Sequence, residues 1–486
     1  MKHFRSILKQ STQISFYQAY NIILRFVSII IYTKYLTPSI LGNFTLARTI
    51  VNLTGVYSLF GLNHGILRQA SLAIGAKKKN VYNEIKNYAS TLSIIISLIV
   101  SALTFTFAGV IGEEIFGDSN FVIFIRLFAL LIPIRNLNFI ITVLLKVNKK
   151  AATGQFLYLV IYPTIIILAF LVGSLFSQGR NLAILSFIIG NFLYLIFLLI
   201  QRNKLKIKAS FHLDKNEKRN LFSISFPMFI AAALNRSQGW IDLFVLGILA
   251  SSSDVGIYFV GLRIASFVQI PAVSFNHIFM PIAGRLIGAG EFAELNNLYK
   301  IITRIIFFLG SSIFAIIFFM QDIILLLFSK DYSIAGQVII FILIGQLINI
   351  SVGATRQLLT VSGGAKINLY NSILMIVLML SLSYFLIPEY GMIGAAIANA
   401  SSLGLLNIIS VIELSYFYKL SPFSKQYFLT FVFFILLFLI SLILPSISII
   451  KLIVFLTFYI LLTIIFTVSK EEKNKARLLI RKKFSF

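Results

Sequence analysis

Residues 182–200, LAILSFIIGNFLYLIFLLI, run for nineteen positions without a charge, and residues 201–221, QRNKLKIKASFHLDKNEKRNL, follow with seven basic side chains. At 1.5 Å per residue the first stretch makes a helix of about 28 Å, close to the hydrocarbon thickness of a bilayer. The abrupt change to Lys and Arg marks the place where the chain leaves lipid on its positive side.

The same alternation extends in both directions. Apolar windows cover 14–35, 41–62, 88–110, 120–143, 154–176 and 182–200, then 222–250, 255–282, 301–321, 334–355, 368–387 and 391–416, and finally 427–445 and 450–468. Overall the chain is 58% hydrophobic and 12% charged, against roughly 45–50% and 25% in soluble domains. The expected fold is therefore an all-α polytopic membrane protein of about 14 transmembrane helices. It is read as a six-helix lobe over 1–205, a cytoplasmic linker over 206–221, a second six-helix lobe over 222–420, two further helices over 421–468 and a basic tail over 469–486.

A net charge of +26 suggests nucleic acid until its distribution is considered. Inner loops collect Arg68, Lys77, Lys78, Lys79 and Lys86, then Lys146, Lys149 and Lys150, then the linker, whereas the outer loops hold only Arg180 and Lys330. That asymmetry orients the chain with both ends inside and leaves no nucleic-acid reading. The N-terminal apolar stretch lacks a small-residue cleavage site and reads as a retained helix. Inner loops 63–87 and 283–300 mix apolar and basic residues, as interfacial segments do. Cysteine is absent, so disulfides and thiolate metal sites are excluded, and the four His residues lack metal-ligand spacing.

Sliding the chain by 214 positions aligns Ala19 and Asn21 with Ala233 and Asn235, Leu41, Gly42 and Phe44 with Val255, Gly256 and Tyr258, and Gly190 with Gly404. A constant offset marks a duplication. Six windows separate the copies, so equivalent helices run in the same direction, and their axis lies along the membrane normal.

Leu36-Thr37-Pro38 through Leu41-Gly42-Asn43-Phe44 resembles the first-loop signature of polysaccharide exporters, and Asp254-Val255-Gly256-Ile257-Tyr258 is similar, as is Tyr390-Gly391-Met392-Ile393-Gly394. The chain resembles the multidrug/oligosaccharidyl-lipid/polysaccharide (MOP) exporter superfamily, in particular the Wzx-type flippases of O-antigen and capsule units. The resemblance implies a bacterial inner-membrane transporter of an undecaprenyl-pyrophosphate-linked oligosaccharide. It also implies membrane lipids, a polysaccharide polymerase and a chain-length regulator as partners. No cofactor is expected beyond H+ or Na+ coupling.

Charges inside the windows single out the candidate site. Arg25 lies near the midplane of the first window; Arg48, Arg126, Arg135, Arg236 and Arg263 lie in others, while Lys34 and Lys451 are near enough to an end to snorkel. A guanidinium in hydrocarbon is costly and normally faces a cavity or partner. Arg48 and Arg263 follow Gly42 and Gly256 by six and seven residues, which suggests two cations facing one cavity. Arg135 follows Pro133 and is flanked by Asn136 and Asn138, a polar cluster at an expected kink, and its alternative is interhelical hydrogen bonding. For Arg48, Arg126 and Arg263 the alternative is partial snorkelling to the outer end. The run Asn235 to Asp242 is too polar for lipid and predicts a helical break at Gly239. Asp242 reads either as a coupling site or as the counter-ion of a neighbouring Arg.

Arginines suit an anionic phosphate cargo. The competing readings are an organic-cation exporter of the same superfamily, which would need carboxylates, and a polytopic polymerase or ligase. The enzyme would require an outward catalytic loop, and the outer loops are too short for one. No catalytic residue and no metal ligand is assigned.

Overall fold

The computed structural model describes residues 2–445 and 447–467; the expected tail over 469–486 lies outside the described residues. The described chain is helical throughout, without a strand. Two compact units are distinguished: 1–260 with 383–395, and 261–382 with 396–486.

The first unit comprises α1 (Lys2–Tyr35), α2 (Pro38–Ser58), α3 (Leu62–Gly75), α4 (Lys79–Thr106), α5 (Ser119–Ala129), α6 (Ile132–Val147), α7 (Ala151–Phe156), α8 (Tyr162–Gly173), α9 (Gly179–Lys204), α10 (Lys215–Gln238), α11 (Ile241–Leu249) and the start of α12 (Ser252–Ala265). The second holds the end of α12, α13 (Ile270–Ala289), α14 (Phe292–Leu325), α15 (Ala335–Ser351), α16 (Thr355–Val361), most of α17 (Ala365–Tyr418), α18 (Lys425–Ile443) and α19 (Ser448–Leu462).

Among the described residues, eight helices are long and apolar enough to cross a membrane, or up to ten if each of two bent pairs is one span. All fourteen sequence windows fall on helices, and the difference has local causes. The 54-residue α17 contains two windows, joined where Gly391 takes φ 52° and ψ −131°, angles open only to glycine. The window over 222–250 is divided between α10 and α11, with Gly239 capping the first, at the break its polar run predicts. The windows in α1, α2 and α10–α11 carry Arg25, Arg48 and Arg236, which lower their apolar character.

The duplication is also written in the backbone. Left-handed residues recur as Lys77 and Gly290, Lys149 and Gly363, Gly179 and Gly391, and Lys206 and Lys419, all within two positions of the 214-residue offset. Lys149 closes α6 as a Schellman cap, its amide donating to the Lys146 carbonyl and that of Lys150 to Leu145. The repeat-related glycines of the signature turns meet within the first unit. A Cβ on Gly42 would lie 1.8 Å from the Ser252 carbonyl oxygen, and one on Gly256 would lie 2.0 Å from that of Pro38. Pro38 and Ser252 are themselves 214 apart, so the contact is self-complementary. Asp118, the N-cap of α5, supports this seam by accepting from Asn43 Nδ2 (2.9 Å) and Ser252 Oγ (2.7 Å).

In the second unit, the last two helices pack on α14 through rings. Phe434 meets Phe307, Phe314 and Phe455 at 5.8, 5.8 and 5.9 Å, in edge-on geometries. Glu413 accepts a hydrogen bond from Asn371.

Candidate functional site

α5 and α6, which together are long and apolar enough for one span, meet at an angle of 43° across Leu130–Leu131. Pro133 lacks an amide hydrogen and is accommodated in the first turn of the new helix. The bend places Arg135 one turn into α6 beside Gly55 of α2, whose missing side chain makes room for it: a Cβ there would stand 3.0 Å from Arg135 Cδ.

Arg135 and Arg48 line one small recess of about 20 Å³ in the first unit, together with Asn52, Asn138 and Asn191 and three tyrosines, Tyr158, Tyr162 and Tyr194. None of its lining residues is acidic. Arg48 sits over the rings of Phe44 and Phe187 at 5.2 and 5.4 Å, and Arg135 over Phe139 at 5.5 Å, so aromatic faces partly offset the cost of the cations. Arg135 Nε is sealed from solvent and has no hydrogen-bond partner. A guanidinium donor held this way presents an unmet requirement for an acceptor.

Tyr158 stands in a wider π turn over Leu157–Ile161, between α7 and α8, the kind of irregularity that marks functional positions in helices. Arg135, Arg25, Arg236 and Arg48 all lie within electrostatic reach of its hydroxyl. Tyr158 stacks on Tyr162 with centroids 6.4 Å apart and planes 6° from parallel. Tyr194 donates to Asn138 Oδ1 at 2.7 Å.

Four of the six sequence-nominated arginines, Arg25, Arg48, Arg135 and Arg236, thus lie within electrostatic reach of one tyrosine, but only Arg48 and Arg135 line the recess, and Arg25 and Arg236 are exposed. Arg126 is exposed on α5 and is not among the residues of the recess. Arg263 belongs to the second unit, where its carbonyl accepts from Ser266 Oγ at 2.7 Å. Asp242 is 3% exposed; its carboxylate accepts from the Tyr258 hydroxyl (2.8 Å) and the Leu243 amide (2.8 Å). The tyrosines and Asn191 escaped the sequence reading, which singled out Asn138 only as part of the polar cluster around Arg135. Polar rings every four residues at Tyr158 and Tyr162, in an otherwise aliphatic window, were the available signal.

Residues 227–385 match the MatE family and residues 7–287 the family described as polysaccharide biosynthesis protein. The chain is 24% identical over 264 residues to the capsular polysaccharide biosynthesis protein CapF of Staphylococcus aureus, covering 53% of this chain and 65% of that one. It is 24% identical over 203 residues to the probable low-salt glycan biosynthesis flippase Agl15 of Haloferax volcanii, covering 41% and 42%. The matches therefore span less than two thirds of either curated relative. Among solved structures, the lipid II flippase MurJ in an inward closed conformation superposes with a TM-score of 0.74 at 16% identity, over 93% of this chain and 98% of that one. An inward-facing multidrug resistance MATE family transporter of the MOP superfamily superposes with a TM-score of 0.66 at 15% identity, over 82% and 96%. These likenesses establish an all-α, multi-pass membrane fold, and the match over 7–287 places the chain in the polysaccharide biosynthesis protein family, within the MOP exporter superfamily.

Proposed function

We propose that the chain is a flippase for a lipid-linked saccharide, acting by transport rather than catalysis. Its cargo is an oligosaccharide on undecaprenyl pyrophosphate, moved from the inner to the outer leaflet of the bacterial cytoplasmic membrane for O-antigen, capsule or related polysaccharide export. The observation that carries this reading is the acid-free recess in which Arg48 and the orphaned Nε of Arg135 meet three tyrosines and three asparagines.

A guanidinium fork fits phosphate oxygens, often in pairs. The tyrosine faces and asparagine amides suit sugar rings, which are apolar on one face and hydroxylated at the edges. Arg25 and Arg236 extend the positive field beyond the recess, and Arg263 serves the second half in the same manner. The mechanism is alternating access, in which the prenyl tail stays in lipid and the arginines neutralise the pyrophosphate during passage. An organic-cation exporter would place a carboxylate where this recess has none.

A leaflet assay tests the reading: lipid-linked sugar is loaded on the inner face of proteoliposomes and its arrival outside is followed. Folded Arg48→Gln and Arg135→Gln variants lose delivery, as do Arg25→Ala and Arg263→Ala. Wild-type delivery by all four would sink the proposal.

A further inference from the structure

A second recess opens at the other end of the same helices. It holds about 950 Å³ and opens to solvent, and six ammonium groups line it: Lys79, Lys86, Lys150, Lys204, Lys206 and Lys208. No Asp or Glu is among its lining residues. On α9, Gln201 of this recess follows Tyr194, the last α9 residue of the guanidinium recess, by seven residues, which is about 10 Å along the axis. The two are therefore distinct sites, and this one lies where the helices leave the membrane on the inner side.

Its walls are built rather than loosely gathered. Lys86 is 4% exposed, and its Nζ donates to Asn83 Oδ1 (3.0 Å) and the Leu205 carbonyl (3.1 Å). The linker strand is tied to α4 by the Lys208 amide donating to Asn87 Oδ1 (3.0 Å) and the Ser210 amide donating to Thr91 Oγ1 (3.0 Å). Asn148 Nδ2 donates to the Tyr82 hydroxyl at 2.8 Å. Lys206 is held at φ 52°, a left-handed angle that L residues adopt only under constraint. Both Lys206 and Lys208 stand near enough to repel the Lys86 ammonium. Six like charges in one concavity are unfavourable unless an anion sits among them.

Basic recesses between transmembrane helices at the inner surface take phosphate headgroups. We propose that this recess binds the phosphate headgroup of an anionic inner-leaflet lipid, independently of whatever the guanidinium recess carries. Ammoniums suit this task because the charge is compact and the stem long enough to follow a mobile headgroup.

The test uses the purified full chain in nanodiscs of phosphatidylcholine doped with phosphatidylglycerol, with bound lipid counted by native mass spectrometry. The recess variant is Lys204→Gln/Lys206→Asn/Lys208→Gln, which spares the buried Lys86. The control variant, Lys78→Gln/Lys215→Gln/Lys366→Gln, removes the same charge elsewhere. Phosphatidylglycerol retention falls at least about tenfold in the recess variant and stays at the wild-type level in the control. Free inorganic phosphate displaces it from the wild type. Equal losses in both variants would reduce the effect to diffuse surface charge, and wild-type retention in the recess variant would overturn the site. Phosphate binding without phosphatidylglycerol enrichment would overturn the lipid assignment.

Discussion

Arg135 and Arg126 are nine residues apart in one bent span, and the sequence treats them alike. Packing separates them. Arg135 is drawn inward where Pro133 restarts the helix and Gly55 leaves space, whereas Arg126 stays on the outer surface of α5. Losing a charged hydrogen-bond donor costs about 1.5–3 kcal/mol, so Arg135→Gln slows leaflet transfer roughly ten- to a hundredfold. Arg126→Gln leaves it within about twofold, as expected of a surface change. Equal rates for the two variants would dissolve the distinction. Charge patterning made the arginines legible, and Pro133 marked a kink beside Arg135, but the choice among them also rests on a facing glycine that periodicity does not locate. Asp118 offers a second measurement at this scale. Burial would push its carboxyl up, yet hydrogen bonds from Asn43, Ser252 and the Asn120 and Phe121 amides bring it below the ordinary range. A group depressed in the folded state contributes stability above its unfolded value, near pH 4, and loses it as pH falls through the folded one. The wild type therefore loses more thermal stability than Asp118→Asn when taken from pH 7 into the acid range below about pH 4; parallel losses in a fluorescence melt would assign Asp118 no part.

At the scale of elements, the duplication was legible because residues that must be glycine, or must turn left-handed, survive divergence in an apolar background. Gly42 and Gly256 are such a pair, each admitting the other's neighbouring carbonyl. Overpacking typically costs about 1–3 kcal/mol, so Gly42→Val and Gly256→Val each lower the melting temperature by several degrees. Because both open one seam, the double variant loses less than the sum of the two. Additive losses would mean that the glycines act separately. The left-handed caps give the opposite sign. Where Lys149 is held at φ 60°, its counterpart is a glycine, Gly363, at φ 100°, and a glycine at Lys149 would carry its left-handed angle without strain, so Lys149→Gly raises stability by up to about 1 kcal/mol. What the sequence hid at this scale is where spans break. Three windows depend on arginines and a polar run that weaken their apolar signal, and at Gly391 a kink with non-helical angles joins two helices without an intervening loop.

For the whole molecule, the basic excess reads first as topology and then as direction of transport. An anion leaving a negative interior gains about 2.3 kcal/mol per charge per 100 mV. A pyrophosphate cargo with two charges moving alone past arginines fixed to the protein would thus redistribute outward by roughly 4–5 kcal/mol at 100 mV. In sealed vesicles with an imposed potassium potential, inside negative, the outer share of a pyrophosphate-linked lipid rises steeply, and that of a neutral glycolipid does not. Whether Asp242 carries an ion sets how many charges would move. Its carboxylate is buried under Tyr258 and takes the Leu243 amide at the start of α11. If Asp242 carries H+ or Na+ with each cycle, the wild type responds weakly to voltage and strongly to the ion gradient, and Asp242→Asn removes the gradient response. If it only balances a neighbouring arginine, Asp242→Asn lowers the amount of folded protein but leaves the voltage response per molecule unchanged. A wild-type distribution indifferent to both voltage and ion gradients would exclude an anionic cargo in either form.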